Sequence, residues 1–168
     1  MKKIILLLIL CISFGSCNSS KGIKTKKPKT TRTKTVSSKP SKTIASIIDY
    51  AQTFEGTRYK YGGTTKLGMD CSGLVVTAFQ KENIQLPRTT ADLKNTGQWI
   101  DVKKVKEGDL LFFATKKNSR KVNHVGIVTK TRPGYVEFIH STSSKGVITS
   151  NLSERYWYLA YVQARRIL

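Results

Sequence analysis

The stretch YKYGGTTKLGMDCSGLVVTAF, residues 59 to 79, sets a cysteine between a glycine-rich approach and an apolar run. After Cys71, residues Leu74, Val75, Ala78 and Phe79 fall on one helical face, so the spacing predicts a buried helix that begins at the thiol. A thiol at a helix start meets the positive end of the macrodipole and free backbone N–H groups. Both are expected to lower its pKa and favour thiolate, and the same N–H groups can stabilise an oxyanion. The competing reading of Cys71 is a small core residue. Gly62 and Gly63 read as turn residues that permit positive φ.

On either side the periodicity continues. Ala45, Ile48, Ala51 and Phe54 predict an amphipathic helix ending at Gly56. TTADLKNTG predicts a short helix with Thr89 or Thr90 as its cap and Gly97 as its stop. The character then changes. DLLFFAT, NHVGIVTK, GYVEFIHST, GVITSNL and WYLAYVQARRIL are short runs rich in Val, Ile, Tyr and Phe, separated by turn residues, and read as strands. Helices first and a meander of strands afterwards predict an α+β domain over residues 43–168, with helices packed on an antiparallel sheet. Asp109, in the turn before the first of these runs, is expected to bond turn amides. The tyrosines and Trp157 near the C-terminus are expected to pack the sheet.

The N-terminal part has another composition. MKK precedes an apolar run of eleven residues, too short and wrongly flanked for a membrane span, which reads as a secretory signal over residues 1–16. Phe14-Gly15-Ser16-Cys17 puts two small residues before a cysteine and resembles the lipobox of bacterial lipoproteins, where that cysteine receives lipid; Phe14 departs from the usual aliphatic residue. Several acyl chains on Cys17 would anchor the chain stably, at about 0.8 kcal/mol per buried methylene. Cys11 lies in the signal, so Cys71 is the one free thiol of the mature chain and a disulfide framework is excluded.

Residues 18–42 hold nine Lys or Arg, no acid and many Ser and Thr, and read as a disordered tether. Much of the formal net charge of +20 therefore lies outside the domain, which carries about +9. A basic tether suits anionic lipid or wall polymers, or serves as a solvated spacer; nucleic acid is the poorer fit for an exported chain.

The chain has two histidines, His124 and His140, both in predicted strands far from Cys71. A helix-borne thiol with strand-borne imidazoles is the arrangement of papain-like nucleophilic catalysis: one imidazole moves the proton and a further polar group orients it. Metal-ligand spacing, HExxH and phosphate-cradling loops are absent, and no cofactor is expected.

YKYGG, MDCSGLV, LPR, GDLLFF, HVGIV and IHSTSSKGV follow in order the pattern of the NlpC-type family of bacterial cell-wall cysteine peptidases, and the chain resembles that family over residues 44–166. The resemblance implies a papain-like fold and cleavage of peptidoglycan stem peptides, commonly at the γ-D-glutamyl–diaminopimelate bond. It implies Cys71 as nucleophile, His124 as base, His140 as the residue orienting it, and Tyr59 near the nucleophile. Asp70 and Ser72 look like stem-peptide contacts, with Arg88 a further one. KKNSRKVN lengthens the loop before His124. The expectation is a monomeric enzyme lipid-anchored in the bacterial envelope, at the outer membrane facing the periplasm. A wall-binding lipoprotein that keeps the fold without the chemistry, or a papain-like thiol acyltransferase, are the alternatives.

Overall fold

The computed structural model describes residues 41–168. The proposed signal, Cys17 and nearly all of the tether lie outside the described residues. Helix α1 (Lys42–Gln52) opens the domain, with Ser41 as its cap accepting from the Ile44 amide at 3.3 Å. It buries Ile47, Ile48 and Ala51. A small hairpin, β1 (Thr64–Thr65) with β2 (Gly68–Met69), leads into α2 (Cys71–Gln80), followed by α3 (Thr90–Leu93), capped by Thr89. The hairpin is too short to leave an alternation in the sequence.

The remaining strands form one six-stranded antiparallel sheet. They are β3 (Gln98–Ile100), β4 (Leu110–Phe113), β5 (His124–Arg132), β6 (Tyr135–Thr142), β7 (Gly146–Asn151) and β8 (Tyr161–Arg166), in the order β3-β8-β4-β5-β6-β7. The α+β prediction holds, with one correction. WYLAYVQARRIL is not strand throughout: Arg155–Ala160 form a helix, α4, and only from Tyr161 does the chain extend. Trp157 and Ala160, three residues apart, both turn inward, a helical spacing hidden in an aromatic-rich run.

Both faces of the sheet are covered, which is why LLFF in β4 is apolar without alternation. Leu110 and Phe112 face α1 and α2, in a core with Leu74, Val75, Ala78 and Phe79. Leu111 and Phe113 face the other way, onto a second core with Phe138, Trp157 and Ala164. Emptying the first core, as in Leu74→Ala, removes a fully buried side chain and costs about 2–5 kcal/mol. The register pairs Phe112 with Val125 and Phe113 with His124, so His124 lies on the α4 side while its neighbour Val125 faces α2.

Gly126 follows from that alternation. A Cβ there would lie 2.7 Å from the Phe138 ring and 3.1 Å from the His140 Cβ, so only glycine lets β6 bring His140 beside His124. Asp109 bonds the Lys106 turn amide at 2.8 Å, as expected, and also holds Arg166 of β8 by two hydrogen bonds at 2.8 and 2.7 Å. No helix among the described residues is long and apolar enough to cross a membrane.

Candidate active site

Helix α2 begins at the thiol because Asp70 caps it. The Asp70 carboxylate accepts from the Gly73 amide at 2.6 Å and from the Gly62 amide at 2.7 Å. Gly62 has φ +73°, which aims its amide at the carboxylate; Gly63 has ordinary φ and is glycine because a side chain would strike the Gly68 backbone. Arg88 closes the cluster. Its two terminal nitrogens donate to the two Asp70 oxygens at 3.1 and 2.7 Å, and one also reaches the Ser72 hydroxyl at 2.8 Å. Burial alone would raise the Asp70 carboxyl, but hydrogen bonds from Arg88, Gly73 and Gly62 hold it below the ordinary carboxylate range.

The Cys71 sulfur lies 3.8 Å from the Thr90 hydroxyl, within reach of the Val125 and Ser72 amides. Val125 immediately follows His124, so the start of α2 meets the start of β5 at the thiol. The expected lowering of the thiol pKa is corrected here. Burial pushes it up, the hydrogen bonds from Thr90, Val125 and Ser72 offset only part of this, and the Asp70 carboxylate adds to the rise. Asp70 caps the same helix end whose dipole would favour thiolate, and its negative charge opposes that effect.

On the other face, His124 Nε2 and His140 Nδ1 are 2.9 Å apart, and His140 Nε2 is 3.0 Å from the Ser150 hydroxyl. Trp157 stacks on His124 at 5.5 Å and 23° and meets His140 edge-on at 4.6 Å; Phe138 flanks His140 at 4.8 Å. Burial in this aromatic setting lowers His124 to about 4. Burial, then the neighbouring His124, lowers His140 to about 3. Both imidazoles are neutral near pH 7.

The predicted residues form two grooves. One, of about 350 Å³, is lined by Tyr59, Asp70, Cys71, Ser72, Arg88 and Asn123 among others. Tyr59 forms a β-bridge with Met69, and its phenol is raised by burial and by the nearby Cys71 and Asp70. The second groove, of about 370 Å³, holds His124 along with Ser150, Lys145, Glu154, Tyr156 and Trp157. Asn123 bridges the two: its side chain bonds the Thr115 amide and hydroxyl, both at 2.8 Å, and Thr115 lines the second groove. Asp70 and Arg88 spend most of their hydrogen-bonding capacity on each other and on the start of α2.

Sequence reasoning missed Ser150, Thr90 and the shielding role of Trp157. Ser150 carried a faint signal, since it lies two residues from Ile148 on the strand face that pairs with His140. Among the described residues no group of three His, Cys, Asp or Glu is placed to hold a metal.

A thiol at a helix start and an imidazole pair on neighbouring strands of a helix-covered antiparallel sheet mark the papain-like α+β class. The NlpC/P60 family matches residues 56–166, and the chain belongs to that family. It is 41% identical over 128 residues to the probable endopeptidase NlpC homolog of Haemophilus influenzae, covering 76% of this chain and 63% of that protein. It is 37% identical over 123 residues to the murein DD-endopeptidase MepS/murein LD-carboxypeptidase of Escherichia coli, covering 73% of this chain and 62% of that protein. The match thus spans less than two thirds of either relative. The crystal structure of a Staphylococcus aureus protein of the NLP/P60 family, similar to lipoprotein, superposes with a TM-score of 0.66 at 32% identity, over 77% of this chain and 43% of that one.

Proposed function

We propose that the protein is a cysteine peptidase of the bacterial cell wall that hydrolyses a peptide bond in peptidoglycan stems, the γ-D-glutamyl–diaminopimelate bond in particular. The observation that carries this is the 2.9 Å contact between His124 Nε2 and His140 Nδ1, on the strand whose next amide, that of Val125, is within reach of the thiol. It occupies one ring nitrogen of His124, and on this reading the other, Nδ1, takes the proton of the thiol. For Nδ1 to accept a proton, the His124 proton is on Nε2 and is donated to His140 Nδ1. The His140 proton is then on Nε2, donated to Ser150.

The chemistry follows in balanced steps. Cys71 loses its proton to His124 Nδ1 as sulfur attacks the scissile carbonyl, and the oxyanion lies within reach of backbone N–H groups at the start of α2. Collapse breaks the C–N bond while His124 returns the proton to the departing amine. Water gives a proton to the same nitrogen as its oxygen adds to the thioester carbonyl; the C–S bond then breaks, the acid product leaves and that proton returns to the Cys71 sulfur. The resting thiol and imidazole being neutral, proton transfer accompanies attack. Possession of thiol and imidazole pair together supports this reading over a binding-only role. Activity of the intact protein on soluble muropeptides, with products identified by mass, tests it: cleavage is expected from the wild type and only background from a folded Cys71→Ala. Turnover in that variant would rule the mechanism out.

We propose further that Cys17 carries the lipid and holds the enzyme in the envelope, at the outer membrane facing the periplasm. The FGSC sequence supports this. Cys17→Ala should then move the protein from a salt-washed membrane pellet to the soluble fraction, because tether charge alone is screened at moderate salt.

A further inference from the structure

We propose that the groove beside His124 is the subsite for the leaving fragment and that Lys145 makes it prefer a leaving residue with a free carboxylate. This rests on the peptidase reading above. In thiol hydrolysis the acyl half stays on sulfur and the amine half takes its proton from the imidazole. The two halves therefore part between Cys71 and His124, each of which lines one of two grooves linked by the Asn123–Thr115 hydrogen bonds. The acyl half lies in the groove lined by Cys71 and the amine half in the groove lined by His124.

The chemistry of the second groove then sets what it accepts. Thr142, Ser143 and Ser144 line it beside Lys145, on the turn between β6 and β7; the Thr142 hydroxyl donates to the Gly146 carbonyl at 3.3 Å, so the two serines supply the hydroxyl donors. The backbone amide of Lys145 bonds the Thr142 hydroxyl at 3.0 Å, which fixes the turn, and Gly146 (φ +68°) closes it. Among the described residues the Lys145 ammonium has no ion-pair partner. The other charge in the groove, Glu154, accepts from the Asn151 amide at 2.6 Å and is committed to the chain between β7 and α4. In the opposite groove the sole guanidinium, Arg88, is held by Asp70. The unmatched cation of the cleft is thus on the leaving side. A primary ammonium flanked by hydroxyl donors suits a carboxylate, and a carboxamide in its place offers no charge to it.

The test uses the intact protein and two soluble muropeptides that differ in one respect: the leaving residue's carboxylate is free in one and a primary amide in the other. Wild type is expected to show kcat/KM about 3–10-fold higher on the free acid, the size of a solvent-accessible charge-assisted contact. Lys145→Ala should bring the ratio near 1, chiefly by loss on the free acid, and Lys145→Glu should invert it. Raising ionic strength should compress the wild-type ratio and leave that of Lys145→Ala unmoved. If wild type cleaves both peptides with equal kcat/KM, or Lys145→Ala keeps the wild-type ratio, the assignment is overturned while the peptidase reading stands. If wild type cleaves neither, the peptidase reading itself fails and takes the assignment with it.

Discussion

The thiol at the start of α2 and the imidazoles on β5 and β6 are held by opposite means. The α2 end is an ionic knot: Asp70, Arg88, Ser72 and the Gly62 and Gly73 amides satisfy one another around the first turn of the helix. The β5–β6 end is neutral and aromatic, with His124 and His140 joined end to end and enclosed by Trp157, Phe113 and Phe138. Charge placed near the thiol opposes its ionisation, and low polarity around the imidazoles opposes theirs. The resting site is therefore uncharged at its reacting atoms though a salt bridge lies one residue away. On the proposed mechanism the proton moves when substrate arrives rather than being stored in an ion pair beforehand.

Breaking the ionic side should cost most. Arg88→Gln leaves a buried Asp70 carboxylate short of two hydrogen bonds, at about 1–3 kcal/mol, toward the lower end because Arg88 is partly exposed. The expected result is a lower Tm with a raised KM, since the same groups line the Cys71 groove. Unchanged Tm would show that the knot holds nothing together.

The neutral side should reveal itself through pH. Histidines with folded pKa values of about 4 and about 3, against an ordinary 6.5, bind fewer protons folded than unfolded in the interval between. Their contribution to stability is fully present above pH 6.5 and declines as pH falls toward 3. Tm should drop between pH 6.5 and 4.5, above the range where Asp70 titrates, and the slope should be shallower in His140→Gln. A flat Tm over that interval would mean the pair is not held neutral by burial.

The smallest effect concerns Ser150. Threonine and valine share a shape that suits a strand, and only threonine keeps a hydroxyl for His140 Nε2. Ser150→Thr should stay within about 3-fold of wild type in kcat, while Ser150→Val should fall about 10-fold, the lower part of the acid–base range. Equal rates in the two would remove Ser150 from the relay.

What could be read without coordinates follows a physical line. Cys71, His124 and His140 stood out as candidates because reactive side chains are few and the helix after the thiol has a strong apolar period. Asp109 was readable because turn chemistry is local. The Asp70–Arg88 bond was not, since eighteen residues separate partners that only the fold brings together. Helix α4 was misread because six residues give less than two helical turns and its aromatics mimic a strand. The direction of the thiol pKa was misread for a deeper reason: the helix dipole is visible in sequence, whereas burial and the direction in which a capping carboxylate points are not.

The central claim is that His124 exchanges the proton with Cys71 while His140 orients it. It is tested most directly by kcat/KM on one muropeptide for His124→Ala, His124→Gln, His140→Ala and His140→Gln. The arrangement predicts that both His124 variants approach the background of Cys71→Ala. It predicts that His140→Gln, whose amide oxygen can still accept from His124 Nε2, retains clearly more activity than His140→Ala, within a span of about 10²–10⁴-fold. Activity surviving in His124→Gln while His140→Gln is as dead as Cys71→Ala would reverse the two roles and contradict the account.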